Sequence, residues 1–207
     1  MPQTNQSSYV IALSGPSGAG KSTLIQALSS RLGTAVALRI DDYEATSIYP
    51  DTAQWLAEGA DPNMFHTPQF IADVRTLRSG RSIFLPNTSV VIQPTHFLVV
   101  EEPFGRGREQ MRDLIDLVVY IDLPLEIALA RKILRQNAFL PWEQDPDVFI
   151  AHLREFLVWY LGVGRDFYLA IRDRVLRECD LVIDGSRPTE ELVEAIVSVV
   201  RTKQRQS

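Results

Sequence analysis

One cysteine in 207 residues, Cys179, leaves no partner for an intrachain disulfide and excludes a cysteine-rich zinc site. It precedes the apolar stretch Leu181-Val182-Ile183, where a buried packing thiol is expected. The three histidines, His66, His96 and His152, have no metal-ligand spacing. No stretch approaches the ~18 consecutive apolar residues of a membrane-spanning helix, so no membrane partner is expected. Residues 1–6 carry no basic run of the kind that begins a secretory leader, and a cytoplasmic location is the expectation. Positive charge is in short supply too. Lys and Arg total 21 against 26 Asp and Glu, a net charge of −5, which argues against binding nucleic acid through a broad basic face. Repeats and low-complexity linkers are missing, so residues 1–207 read as a single domain, with loose tails at 1–8 and 203–207. An Asn-Lys-x-Asp segment, which would read guanine, is also absent.

What is present is concentrated at residues 15 to 23, Gly-Pro-Ser-Gly-Ala-Gly-Lys-Ser-Thr, which satisfy G-x-x-x-x-G-K-[ST]. Glycines at Gly15, Gly18 and Gly20 let backbone N–H groups from Ser17 and Ala19 through Thr23 converge on phosphate oxygens. Lys21 adds a point charge at the β- and γ-phosphates, and the Ser22 hydroxyl is a hard oxygen ligand for Mg²⁺. The apolar run Tyr9–Leu13 precedes the loop, and the helical pattern Leu24, Ile25, Leu28, Leu32 follows it. A strand, a glycine loop and a helix N-terminus in that order form an anion site, because the helix dipole favours negative charge there.

With 45% hydrophobic residues the chain can fill a sizeable core. Five continuous apolar runs read as strands covered on both faces: Tyr9–Leu13, Ala35–Ile40, His96–Glu101, Leu117–Ile121 and Leu181–Ile183. Helical patterns at 21–31, 68–79, 107–115, 125–136, 145–176 and 189–201 alternate with them, which argues a doubly wound α/β sheet. Two short runs, Ser82–Leu85 and Ser89–Ile92, read as a small hairpin. The 145–176 region exceeds a plain crossover. Gly162 and Gly164 are expected to split it into two helices, which either pack on the sheet or form part of a lid.

Phosphoryl transfer needs a phosphate cradle, a metal, a group that orients the nucleophile, and positive charge over the moving phosphoryl. Glu101 ends the strand expected beside the loop strand, where a carboxylate can hold Mg²⁺ through water. Asp41 and Asp42 follow Ile40 at the carboxyl end of another strand, the edge at which open α/β sheets bind ligands. Either carboxylate can take the proton of a substrate hydroxyl, or serve as a helix cap. Lys132 and Arg135 share one helix face, next to Arg131, and that face either closes on phosphates or is merely solvated. Arg106 and Arg108, just past Glu101, either fix an anionic group on the acceptor or solubilise the loop. Tyr43, Trp55 and Phe65 either wall a flat substrate or pack the core.

The nonapeptide, with Ile40-Asp41-Asp42-Tyr43 at the next strand end, resembles the uridine kinase and phosphoribulokinase group of P-loop kinases. The resemblance continues in Asp61-Pro62-Asn63-Met64-Phe65, Val99-Val100-Glu101, Tyr120-Ile121-Asp122, Ala130–Arg135 and Cys179–Ile183. It implies a P-loop NTPase three-layer sandwich. Five parallel strands in the order 2-3-1-4-5 would carry helices on both faces and a helical lid at about 137–165. It implies an ATP- and Mg²⁺-dependent kinase that phosphorylates a hydroxyl of a small, nucleoside-like molecule. A sugar or an anionic acceptor is the alternative, and a non-kinase ATPase or regulatory nucleotide-binding module is another. By the resemblance, Asp41 is the catalytic carboxylate, Glu101 the Walker B residue, and Lys132 and Arg135 the phosphate-clamping cations. Asp42, Tyr43, Phe65 and Arg106 complete the expected acceptor side. Monomer and homodimer both stay open. The chain departs from the group at the hairpin: Pro86–Val91 holds no Tyr or His of the kind that reads base and sugar in uridine kinases. The acidic residue expected before the Asp61-Pro62 element is Ala60, and a further lid arginine has no counterpart near Phe139-Leu140.

Overall fold

The computed structural model describes residues 7–33, 35–86, 88–139 and 145–205. The first apolar run becomes β1 (Tyr9–Ser14), buried from Val10 onward. After the glycine loop, α1 (Lys21–Leu32) buries Leu24, Ile25 and Leu28. Next come β2 (Ala35–Leu38), a 3₁₀ helix at Ile40–Thr46, α2 (Thr52–Ala57), a 3₁₀ turn at Pro62–Met64 and α3 (Pro68–Arg78). The hairpin β3 (Ile83–Phe84) and β4 (Val91–Ile92) pairs antiparallel, apart from the main sheet. The chain continues through β5 (Phe97–Glu101), α4 (Glu109–Arg112), β6 (Leu117–Asp122) and α5 (Leu125–Phe139). It ends with α6 (Pro146–Trp159), a π-helical turn at Tyr160–Gly164, α7 (Arg165–Val175), β7 (Leu181–Asp184) and α8 (Thr189–Gln204).

The main sheet has the order β2-β5-β1-β6-β7, and every pair in it is parallel. With the hairpin strands left out of the count, this is the expected order 2-3-1-4-5. Strand alternation divides the interior in two. Val10 and Ala12 of β1 face a core built with α3, α7 and the aromatic loops, whereas Ile11 and Leu13 face a core built with α1 and α8. The register pairs Leu13 with Glu101, so the carboxylate that ends β5 lies beside the start of the glycine loop.

Several boundaries differ from the pattern reading. The second strand stops at Leu38, because Ile40 and Tyr43, three apart, are both buried by a 3₁₀ turn that starts with Asp42 N–H donating to Arg39 O at 3.1 Å. Asp41 and Asp42 therefore sit on that turn. The 107–115 pattern contracts to four helical residues. α2 is too short for its period to register in sequence, and is held at its start by Asp51, which accepts from Gln54 N–H at 2.9 Å. The chain stays helical through Gly162 and Gly164. At Gly164 a Cβ would come within 2.4 Å of the Trp159 ring, so this glycine serves close packing and does not end the helix. The expected tails are also shorter. Ser8 is buried, α8 runs to Gln204, and Lys203 Nζ lies 2.6 Å from Asp180. The part of the expected lid at 140–144 lies outside the described residues.

Candidate active site

The glycine loop leaves β1 and enters α1 against the side of α5. Gly18 has φ +90°, and a Cβ on it would lie 2.1 Å from Ala128 O, so loop and helix touch backbone to backbone. Ala19 is buried, while Ser22 and Thr23 are exposed on the first turn of α1. Lys21 Nζ lies inside the loop, donating to Gly15 O at 2.9 Å and Pro16 O at 3.1 Å, with Glu101 Oε1 at 3.3 Å. Gly18→Ala is expected to lower unfolding free energy by about 2–3 kcal/mol, from overpacking and left-handed backbone strain together. Denaturant titration reads this directly, and an unchanged midpoint would show that the loop does not need to pack this closely.

Because α5 packs on the loop, its basic face reaches the cradle. Lys132 Nζ donates to Ser17 Oγ at 3.3 Å and lies 4.8 Å above the Phe156 ring, and Arg135 Nη2 donates to the same oxygen at 3.4 Å. Burial and then the Arg135 charge hold the Lys132 ammonium below the usual lysine range, with Asp41 opposing. Tyr168 from α7 also hydrogen-bonds Ser17, and burial pushes its phenol up to about 12. Cations gathered on one loop oxygen form a receptor for a polyanion. Arg131 is turned away, donating to Gly185 O at 3.1 Å.

A cavity of about 340 Å³ opens beside the glycine loop. It is lined by the polar side chains of Ser17, Lys21, Ser22, Asp41, Glu101 and Arg135 and by aliphatic and aromatic side chains. Ser22 and Glu101 supply the hard oxygens that suit Mg²⁺. Among the described residues no group of three or more His, Cys, Asp or Glu is arranged to hold a metal.

The two aspartates are now distinguished. Asp41 is exposed and borders the cavity, whereas Asp42 accepts from Arg39 Nη2 at 2.9 Å and Nε at 3.3 Å and is absent from the cavity wall. Phe65 lines the cavity as expected. Tyr43 does not: it is fully buried, donating to Asp73 Oδ2 at 3.0 Å, because the 3₁₀ turn points it into the core. Burial in that core pushes both the Tyr43 phenol and the Asp73 carboxyl up.

Arg106 is likewise elsewhere. It donates to Asp116 O at 3.0 Å and Ile115 O at 3.2 Å and pairs with Asp180 at 2.9 Å. Those partners precede β6 and β7, at the sheet edge opposite the glycine loop. Burial opposes ionisation of Asp180, yet hydrogen bonds from Lys203, Val118 N–H and Arg106 hold it below the usual carboxylate range. Arg108 is buried against Glu102 and also donates to Thr67 Oγ1 at 2.6 Å and Phe65 O at 3.2 Å. Phe167, Tyr168 and Ile171 of α7, and Tyr49 and Thr52 before and in α2, line the cavity without having been anticipated. No local spacing marks them, since they reach the loop only through folding of distant segments.

No protein-family model matches the chain. Among curated proteins, the chain is 24% identical over 208 residues to the uridine kinase of Borrelia duttonii, covering 93% of this chain and 94% of that one. It is 28% identical over 212 residues to the uridine kinase of Limosilactobacillus reuteri, covering 96% and 93% respectively. The resemblance found in the motifs thus extends over nearly the whole chain. A solved structure from Silicibacter sp. TM1040, provisionally described as a fructose transport system kinase, superimposes with TM-score 0.53 at 18% identity, covering 88% of this chain and 93% of that one. That likeness is one of fold alone, a five-stranded parallel sheet flanked by helices.

Proposed function

We propose that this protein transfers the γ-phosphoryl group of ATP to a hydroxyl of a small, uncharged, nucleoside-like acceptor. The names of its relatives support a small-molecule kinase. The observation that carries the finer reading is one shared compartment: Lys21, Glu101 and Asp41 border the same cavity as the rings of Phe65, Phe104 and Phe167.

In this reading Asp41 accepts the hydroxyl proton as the acceptor oxygen bonds to the γ-phosphorus. The bond from phosphorus to the β–γ bridging oxygen breaks, and ADP leaves with that electron pair. The proton transfer comes late in a loose transition state, so a carboxylate suffices as the acceptor. Lys21, Lys132 and Arg135 face the phosphoryl oxygens with positive charge already positioned. Ser22 and Glu101 would hold Mg²⁺, which supplies charge neutralisation across the β- and γ-phosphates. Gly15, Gly18, Ala19, Gly20 and Thr23 complete the cradle through their backbone.

An anionic acceptor is disfavoured because Arg106 and Arg108 are both engaged elsewhere. A plain ATPase leaves the ring-lined part of the cavity without a role. With Mg·ATP saturating, ADP formation is expected to rise about 100-fold or more when a suitable neutral alcohol is added, since positioning removes a large entropic barrier. ADP release at one unchanged rate across nucleosides, sugars and other alcohols would refute kinase activity.

A further inference from the structure

Resting on the kinase reading above, we infer that the acceptor's body is an apolar ring held mainly by its faces. Beyond Asp41 the cavity wall is Ile40, Phe65, Phe104, Phe167 and Ile171, with Pro50 and Pro103. Phe65 is the centre of this wall. Its ring centroid lies 4.8 Å from Phe104, 5.4 Å from Trp55, 5.7 Å from Tyr49 and 6.1 Å from Phe167. Such a set of rings offers offset and edge-to-face contacts to a flat guest.

Several polar groups near these rings are already engaged. Trp55 Nε1 donates to Asp61 O at 2.7 Å. Phe65 O accepts from Arg108, Pro103 O from Ser14 Oγ at 2.6 Å, and Phe104 O from Gly107 N–H at 2.9 Å. Among the described residues the lining holds no Asn, Gln or His, and its cations, Lys21 and Arg135, belong to the phosphate end. The side-chain hydroxyls left on the acceptor side are those of Thr52 and of Tyr49, which is 43% exposed.

A pyrimidine buried here would have only the Thr52 and Tyr49 hydroxyls for its edge donors and acceptors, and unpaired buried polar groups are costly. A hydrocarbon ring of the same shape loses nothing at its edge and gains the same face contacts. The hydroxyl to be phosphorylated still lies at the polar end, against Asp41.

Two acceptors that share ribose and differ only in the ring test this: uridine, and the phenyl C-riboside in which benzene replaces uracil. With Mg·ATP, kcat/KM for the phenyl riboside should exceed that for uridine by about tenfold or more; a site built to read edges would instead reject it by several orders of magnitude. Equal or higher kcat/KM for uridine overturns the inference and leaves kinase activity intact. Calorimetric binding of both compounds, in the presence of Mg²⁺ and a non-hydrolysable ATP analogue, separates the two claims. Tighter binding of the phenyl riboside without turnover of either compound upholds the apolar compartment and counts against phosphoryl transfer from this site. Failure of the phenyl riboside both to bind and to react overturns the apolar-ring assignment, whatever other alcohol the protein phosphorylates.

Discussion

Asp41→Asn should lower kcat by about 10²–10⁴-fold, the range for loss of a positioned general base, while ATP affinity stays within a few fold. Asp41 is exposed on the first turn of the 3₁₀ helix and borders the cavity beside Lys21, Glu101 and Arg135. An amide keeps the shape of the side chain and removes the proton acceptor. Asp42→Asn is the internal control. Its carboxylate is occupied by Arg39 on the protein surface, and exposed pairs of this kind contribute about 1 kcal/mol or less. Its kcat should remain near the parent value. Steady-state kinetics with each variant, with nucleotide binding followed by fluorescence, decides the matter. A large kcat loss confined to Asp42→Asn would transfer the role to Asp42 and contradict the orientation seen at this turn.

Arg108→Met should destabilise the fold by about 3–5 kcal/mol, the usual cost of stranding one member of a buried ion pair. Glu102 is 0% exposed and Arg108 2% exposed. The guanidinium meets both carboxylate oxygens of Glu102 and also serves Thr67 and Phe65 O. Glu102 Oε1 further accepts from Phe104 N–H at 3.2 Å. Methionine fills much of the volume and leaves the Glu102 charge buried without its cation. Pairing Arg108→Met with Glu102→Gln removes that charge, so the double variant should recover a substantial part of the loss. Denaturant unfolding of the two single variants and the double variant reads the coupling. A double variant no more stable than Arg108→Met would mean that the damage comes from the lost bonds to Phe65 and Thr67. Since this network holds the backbone of Phe65, Arg108→Met should also raise the acceptor KM more than the ATP KM.

The two residues after β5 show how far local reading goes. Glu101 and Glu102 are adjacent, and alternation along a strand places them on opposite sides. That much was legible, and Glu101 does lie by Lys21. The burial of Glu102 with Arg108 was not legible, because a pair six residues apart across a turn has no periodic signature. Arg106 illustrates the same limit. Its position just past β5 suggested the acceptor, yet its side chain runs to carbonyls before β6 and to Asp180. The five strands were legible because parallel strands buried on both faces must be continuous apolar runs, whereas their order was implied only by the family resemblance.

By itself the sequence determined the phosphate-binding half of this protein. The glycine loop, its lysine and its serine are contiguous, so local backbone geometry alone aligns them, and the carboxylate ending β5 joins them through the pairing of β5 with β1. The folded structure decided the acceptor half. Which aspartate faces the cavity depends on a 3₁₀ turn that buries Ile40 and Tyr43. The aromatic wall depends on α7 bringing Phe167 to Phe65, about 100 residues earlier, and Tyr168 to Ser17, about 150 residues earlier. Contacts of that range are set by how helices pack on a sheet, and no local pattern encodes which of their side chains a cavity will receive.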